Sequence, residues 1–319
     1  MKKQYSEILR SVLFLGVLGV MLVLVSSCIK DDLSDCIDER GNVRLTLELD
    51  VNATARNSNP DGYKIDSTHV YVFDQDNRFV TFATGGVYDP AQDYEFFFTL
   101  EGGEYRFIVW TNPGDIYKTN STFEECEENL YTPEDLIYYM DSSAGECLTQ
   151  NIPDLLYGTK RQEIDGNWNN HVIVDMTPNT YNINVKVKGL TQENEEDFEF
   201  SITDNISDYN FDNTIIPLTD DYTHIRYAAR EDDELNVSFK VLSLDEDRNP
   251  LFVFTDHTNS DVLFSGSIID IIRSIYEHSE QTLDFGNTYT FDIVLTFDVD
   301  AGVMVSIGDW EYLPQPAEL

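Results

Sequence analysis

Basic side chains are scarce in this chain: 20 Lys and Arg stand against 59 Asp and Glu in 319 residues, a formal charge of −39. A field of that sign repels phosphate backbones and anionic headgroups, which excludes nucleic acid as a partner. Cysteines number only four. None has a CxxC partner or a nearby HxxxH, so no zinc donor set is visible. Catalytic signatures are missing too: there is no GxSxG, no HExxH, no glycine-rich phosphate loop and no kinase motif. The five histidines, His69, His171, His224, His257 and His278, lie in ordinary strand, loop or helix contexts and read as structural or surface residues. None of the acidic turns at 74–77, 245–249 and 298–300 combines the glycine at position six with the acid at position twelve that an EF-hand loop requires. Turn-forming Asx chemistry accounts for them. The expectation is a protein that is not an enzyme, with no metal and no cofactor.

What is present starts with Lys2, Lys3 and Arg10, followed by an apolar run over residues 12–25. The run is short for a bilayer span of about 20 residues, and it ends in small polar residues and a cysteine, the form of a cleaved signal peptide. The block Leu24-Val25-Ser26-Ser27-Cys28 resembles the bacterial lipobox. That resemblance implies cleavage between Ser27 and Cys28, with a diacylglycerol and an N-acyl chain carried on Cys28; a plain signal whose Cys28 joins a disulfide is the alternative. Residues 28–40 are polar and acidic and read as a tether. Cys36, Cys126 and Cys147 remain, an odd number that allows one internal bridge at most. Cys126 and Cys147 flank a short predicted helix and are the expected pair, with a bridge through Cys36 as the alternative.

Downstream the dominant period is two. Val43, Leu45, Leu47 and Leu49 alternate with Arg44, Thr46, Glu48 and Asp50, and similar runs recur at 69–73, 78–83, 94–100 and 105–111. Turn clusters such as Asp74-Gln75-Asp76-Asn77, Gly102-Gly103 and Asn112-Pro113-Gly114 separate them, so neighbouring strands are antiparallel. Residues 132–140 carry an N-cap threonine, a proline at the first helical position and acids in the first turn, and predict a short helix. After a breaker cluster at 177–180 the scheme repeats. Strands are expected at 181–187, 197–203, 235–244, 251–255, 289–298 and 303–310, with one helix at 267–277 whose isoleucines form a stripe. Trp110 and Trp310 fall at inward parity among aliphatic neighbours and read as core, not as a sugar-stacking platform. The fold class is all-β: two tandem antiparallel β-sandwich domains, residues 41–177 and 178–319, each with a short helix insertion, behind the signal peptide (1–27) and tether (28–40).

Several blocks together resemble the FimB/Mfa2-type anchor subunits of the type V fimbriae of Bacteroidia. They are Asp31-Asp32-Leu33-Ser34-Asp35-Cys36 after the lipobox, Val70-Tyr71-Val72-Phe73-Asp74, the segment from Leu100 through Gly102-Gly103 to Trp110, Leu155-Leu156-Tyr157-Gly158, and Asn184-Val185-Lys186-Val187-Lys188-Gly189-Leu190. The resemblance implies two transthyretin-like Greek-key sandwiches in a lipoprotein on the outer face of the outer membrane. Such a protein sits at the base of a fimbrium, attaches it and limits its length. Its partners would be shaft subunits, joined by strand addition, and the membrane reached through the lipid. Asp31 and Asp32 look like the signal that places such lipoproteins on the surface. Arg56, in the loop after the first strand, is where a shaft or tip subunit would be cleaved. A shaft or tip subunit is therefore one alternative reading, and a surface glycan-binding lipoprotein is another. The strand at 303–310 is the expected donor or contact segment for a neighbouring subunit.

Overall fold

The computed structural model describes residues 40–49, 63–87, 94–119, 132–141, 147–190, 198–231, 234–245, 247–258, 260–278, 282–298, 302–307 and 310–312. In the first half, β1 (Arg40–Leu49), β2 (Thr68–Asp74), β3 (Phe79–Gly85), β4 (Glu95–Glu101) and β5 (Gly103–Thr111) precede three short strands, β6 (Tyr117–Thr119), β7 (Ile137–Met140) and β8 (Cys147–Leu148). β9 (Leu156–Ile164) and β10 (Asn170–Pro178) complete it. Seven of these strands form one sheet in the order β3-β2-β5-β9-β10-β1-β4. Its neighbours are antiparallel except β1 and β10, which run parallel.

β9 follows β5 over residues 157–164 but meets β10 only at 156–158. At Gly158 a Cβ would lie 2.5 Å from Met176 Sδ and 2.9 Å from the Asp175 carbonyl oxygen, so the approach of the two strands there requires glycine. Beyond that point the strands part, and the sheet folds over a core to which both flanks contribute, Val70, Val72 and Phe107 from one and Val43, Leu45 and Val174 from the other.

β2 and β5 are buried on both faces. Val70, Val72, Phe107 and Val109 enter that first core, while Tyr71, Phe73, Ile108 and Trp110 enter a second. Two-sided burial explains why Val70-Tyr71-Val72-Phe73 is continuously apolar instead of alternating. The second core also takes Leu136, Tyr138 and Tyr157, and it is completed by Ile206, Tyr209, Tyr222 and Leu242 from the other half of the chain.

That half comprises β11 (Thr180–Lys188), β12 (Phe198–Asn210), β13 (Ile215–Tyr227), β14 (Ala229–Glu231), β15 (Glu234–Leu242), β16 (Leu251–Asp256) and β17 (Asp261–Ser267). The helix α1 (Ile268–His278) leads to β18 (Thr290–Asp298), β19 (Gly302–Ile307) and β20 (Trp310–Tyr312). Two sheets result, β14-β15-β11-β18-β19-β20 and β17-β16-β12-β13-β8. Ile183, Val185, Phe239 and Ile293 of the first share one core with Phe198, Phe200, Phe252 and Phe254 of the second. Phe200 and Phe254 stack at 4.3 Å and 12°. α1 adds Ile268, Ile269, Ile271 and Ile272 to the same core, the stripe expected from its sequence.

The all-β class and the largely antiparallel pairing hold, with β1–β10, β11–β18 and β8–β13 as parallel exceptions among the described pairs. Two expectations are corrected, and one strand was missed. The helix expected over 132–140 is a single 3-10 turn, Pro133–Asp135, capped where the Thr132 backbone N–H and Oγ1 each lie 3.1 Å from Asp135 Oδ2. From Ile137 the chain is strand, because Tyr138 is drawn into the core: its ring stacks on Trp110 at 4.6 Å and its hydroxyl donates to the Thr111 carbonyl at 2.7 Å. The single strand expected at 303–310 is a hairpin, β19 on β18 and β20 on β19. β13 was not anticipated, since its inward positions are Tyr222, His224 and Arg226, which do not read as an apolar stripe.

Trp110→Ala removes the ring around which the shared core packs and should cost about 3–5 kcal/mol. In urea, followed by circular dichroism, the whole chain should unfold in one transition shifted to lower denaturant. Two separate transitions with one unmoved would show that the halves fold independently.

Candidate functional site

No cleft with convergent catalytic groups is found among the described residues, so the surfaces that could join this chain to others come forward. β1 lies inside its sheet. Residues 43–49 pair with 170–176 on one side, and residues 40–46 pair with 95–101 on the other. Its start is enclosed: a Cβ on Gly41 would lie 2.2 Å from the Asp165 carbonyl oxygen in the β9–β10 hairpin. Asn170 closes that hairpin, donating from Nδ2 to the carbonyls of Asp165 and Trp168, both at 2.9 Å, and accepting from the Asp165 N–H at 3.0 Å. The segment expected to come from the lipid therefore enters the sheet at an interior strand, next to the edge strand β4. Toward the other terminus, β20 is the outermost of the described strands of its sheet.

Between these two points the halves are sewn together. β7 pairs with β12 and β8 with β13, so residues from before 178 extend a sheet of the second half. Arg226 holds the connecting segment, donating to Asn151 Oδ1 at 2.9 and 3.1 Å and to the carbonyls of Leu148 (2.8 Å) and Gln150 (2.5 Å). Its guanidinium carbon sits 5.7 Å above the Phe239 ring. Asp154, almost wholly buried, pairs with Lys240 across the same boundary and accepts the Lys64 N–H at 2.8 Å. The link at Asn179 is fixed by a reciprocal amide pair with Asn213, at 2.5 and 3.1 Å. Asn112, in the left-handed region at φ 55°, gathers the other side. It accepts from the Asp66 N–H at 2.6 Å and donates to the carbonyls of Lys64 (2.8 Å) and Asp154 (2.5 Å). Buried polar networks satisfied in this way specify one arrangement of the parts.

The histidines are dispersed. His171 shares a 2.8 Å hydrogen bond with Thr46, and His257 lies 3.0 Å from Glu199 on the surface. Burial brings His69 down to about 4. His224 is brought down to about 3 by burial first and by the Arg226 charge second, and neither of its ring nitrogens has a hydrogen-bond partner. In the acidic turns Asp74 Oδ1 accepts from the Asp76 and Arg78 N–H groups at 2.8 Å, and Asp245 Oδ1 accepts from Asp247 N–H at 2.9 Å, which is Asx-turn chemistry. Trp110 is fully buried, as read from its parity. Ser27, Cys28, Cys36, Arg56 and Cys126 lie outside the described residues; Cys147 is exposed at the start of β8. Sequence reasoning missed Arg226 and Asn179, because nothing local marks a residue whose partners are tens of positions away.

Residues 33–313 match the family described as fimbrillin-A associated anchor proteins Mfa1 and Mfa2. The chain belongs to that family. Membership of that family makes it a fimbrial subunit of the cell surface, with a structural role. Among solved structures it is similar to a candidate polysaccharide-binding protein of Bacteroides thetaiotaomicron (TM-score 0.70, 17% identity, 86% of this chain and 99% of that one). It is also similar to a candidate adhesin of the same organism (0.64, 17%, 85% and 97%) and to the fimbrial anchor protein Mfa2 of Porphyromonas gingivalis (0.61, 18%, 85% and 98%). At these identities the likeness is one of fold. The comparison with curated proteins finds no match.

The depressed histidines have a signed consequence. With folded-state values below the ordinary 6.5, the unfolded chain takes up protons first, so their contribution to stability is complete above pH 6.5 and is lost as pH falls toward 4 for His69 and 3 for His224. Between pH 6.5 and 4 the melting temperature of His224→Leu should fall less steeply than that of the parent. Equal slopes would show that His224 does not titrate against folding in that window.

Proposed function

We propose that this chain is the lipid-anchored base subunit of a fimbrium, attaching it to the outer membrane through Cys28 and limiting its length. The observation that carries the reading is the place of β1. A load arriving from the lipid through residues 28–39 would pull on β1, and that strand is paired over residues 40–46 on one side and 43–49 on the other, so that every residue of it has a partner strand on at least one side. Ladder bonds loaded along the strand share the force, whereas a peeled edge yields them one at a time. An uncut β1 is therefore the mechanical connection between membrane and fold.

Cleavage after Arg56 would leave β1 on the lipid side of the cut, held to the rest by pairing alone. That suits a shaft or tip subunit, whose first strand is exchanged for a neighbour's, and does not suit an anchor. The rigid junction supports the same reading, because force crossing from one half to the other meets paired strands and a buried aromatic core, not a flexible linker. The β19–β20 hairpin, outermost among the described strands of its sheet, is the segment that would meet the first shaft subunit, by strand addition at β20.

Protein taken from the cell surface should begin at a lipid-modified Cys28 and retain residues 43–51, as read by mass spectrometry. An N-terminus at Asn57 would exchange the anchor reading for a shaft or tip role. Cys28→Ala should leave the fold intact, with an unchanged melting temperature, and release fimbriae into the medium. Fimbriae that stay attached would show that the lipid is not their hold on the cell.

A further inference from the structure

The first sheet presents an outward face that the anchor reading leaves unused. Across β4, β1 and β10 the outward residues Phe97, Arg44 and His171 stand in one register row, and a groove of about 500 Å³ opens along them. Phe97 is 70% exposed, although its neighbours Phe96 and Phe98 are buried, so its ring faces water for no packing reason. Around it polar side chains are held in place by one another. Arg44 Nη1 lies 3.1 Å from Glu95, Asn42 Nδ2 donates to Asn169 Oδ1 at 3.3 Å, and His171 bonds Thr46. Trp168, 71% exposed, directly precedes Asn169 at the turn of the hairpin.

We infer that this groove is a binding site for a neutral oligosaccharide. An aromatic face carries negative quadrupole density and takes the apolar C–H face of a sugar ring. Planar amides, a guanidinium with five N–H donors and a carboxylate match hydroxyl groups that both donate and accept. Three strands about 4.8 Å apart and four residues of strand length make a face of about 10 by 13 Å, the footprint of a short oligosaccharide. The formal charge of −39 disfavours acidic polysaccharides, which selects neutral ones.

The second half supplies an internal comparison. β11 has an antiparallel neighbour on one side and a parallel neighbour on the other, as β1 has, and a groove lies over it in the corresponding place. No aromatic ring lines that groove, although its polar groups bond one another as those of the first groove do, Asn184 Nδ2 to Asp292 Oδ1 at 2.7 Å and Ser238 Oγ to Asn184 Oδ1 at 2.6 Å. The inference goes beyond the anchor reading and does not depend on it.

The full mature chain should be run in affinity gels containing soluble starch, laminarin, yeast mannan or galactomannan, with polygalacturonate as the acidic comparator. Retardation by at least one neutral polysaccharide is expected, at least tenfold weaker in Phe97→Ala, kept in Phe97→Trp and unchanged in Asn184→Ala, all with the parental melting temperature. No retardation by any neutral polysaccharide, equal binding by Phe97→Ala, or preference for polygalacturonate would overturn the assignment.

Discussion

Two strands, β2 and β5, carry apolar side chains on both faces, and most of the architecture follows from the need to cover the second one. Their first face closes the core of their own folded sheet. The other, led by Tyr71, Phe73, Ile108 and Trp110, would be a broad hydrophobic surface if the first half stood alone. It is covered by Leu136, Tyr138, Met140, Leu148, Ile152 and Leu155 from the same half and by Ile206, Tyr209, Tyr222 and Leu242 from the other. The polar contacts at the boundary, Arg226 with 148–151, Lys240 with Asp154 and Asn179 with Asn213, then fix the position of a contact that burial has already made favourable. Asp204 and Arg248 form a further buried pair nearby, in which burial outweighs the guanidinium and holds the carboxyl above its ordinary value.

How much of this was legible in the sequence depends on the link between local pattern and environment. Period two placed the strands that have one wet face, such as β1, β4 and β11, and period 3.6 placed α1, because each pattern reports a single interface. The 132–140 segment carried sound helix-start signals, and the turn they specify does form. What continues after Asp135 was decided by Trp110 and Thr111, residues with no local trace in that segment. β13 failed for the opposite reason: its inward positions face a junction rich in polar groups, so a tyrosine, a histidine and an arginine stand where an apolar stripe would be looked for. Phe97 was legible as an outward strand position between Glu95 and Thr99, but parity alone does not tell whether another element covers a ring on that face.

The same reasoning separates family from role. Matching blocks and a shared fold make the chain a member of the fimbrial anchor family. The proposed anchor role rests on more particular features: a first strand seated between two others, and a junction in which paired strands run from one half into the next. Neither property needs a catalytic group, and a surface given over to acidic side chains keeps such a structure soluble while its apolar area is spent internally.

The parallel pairing of β1 with β10 also orders events in time. Asn42 and Asn169 are 127 positions apart, so a chain made or exported from its N-terminus holds β1 without one of its two partners until nearly all of the first half has followed. Ladders that close over such distances form late, because the entropy of the intervening loop is lost before the contacts repay it. The first strand to appear is thus among the last to be seated, and until then β4 and β10 offer an open slot to any extended segment of matching pattern. Joined covalently to the sheet it must enter, β1 competes for that slot at an effective concentration a separate strand reaches only when it is itself tethered nearby.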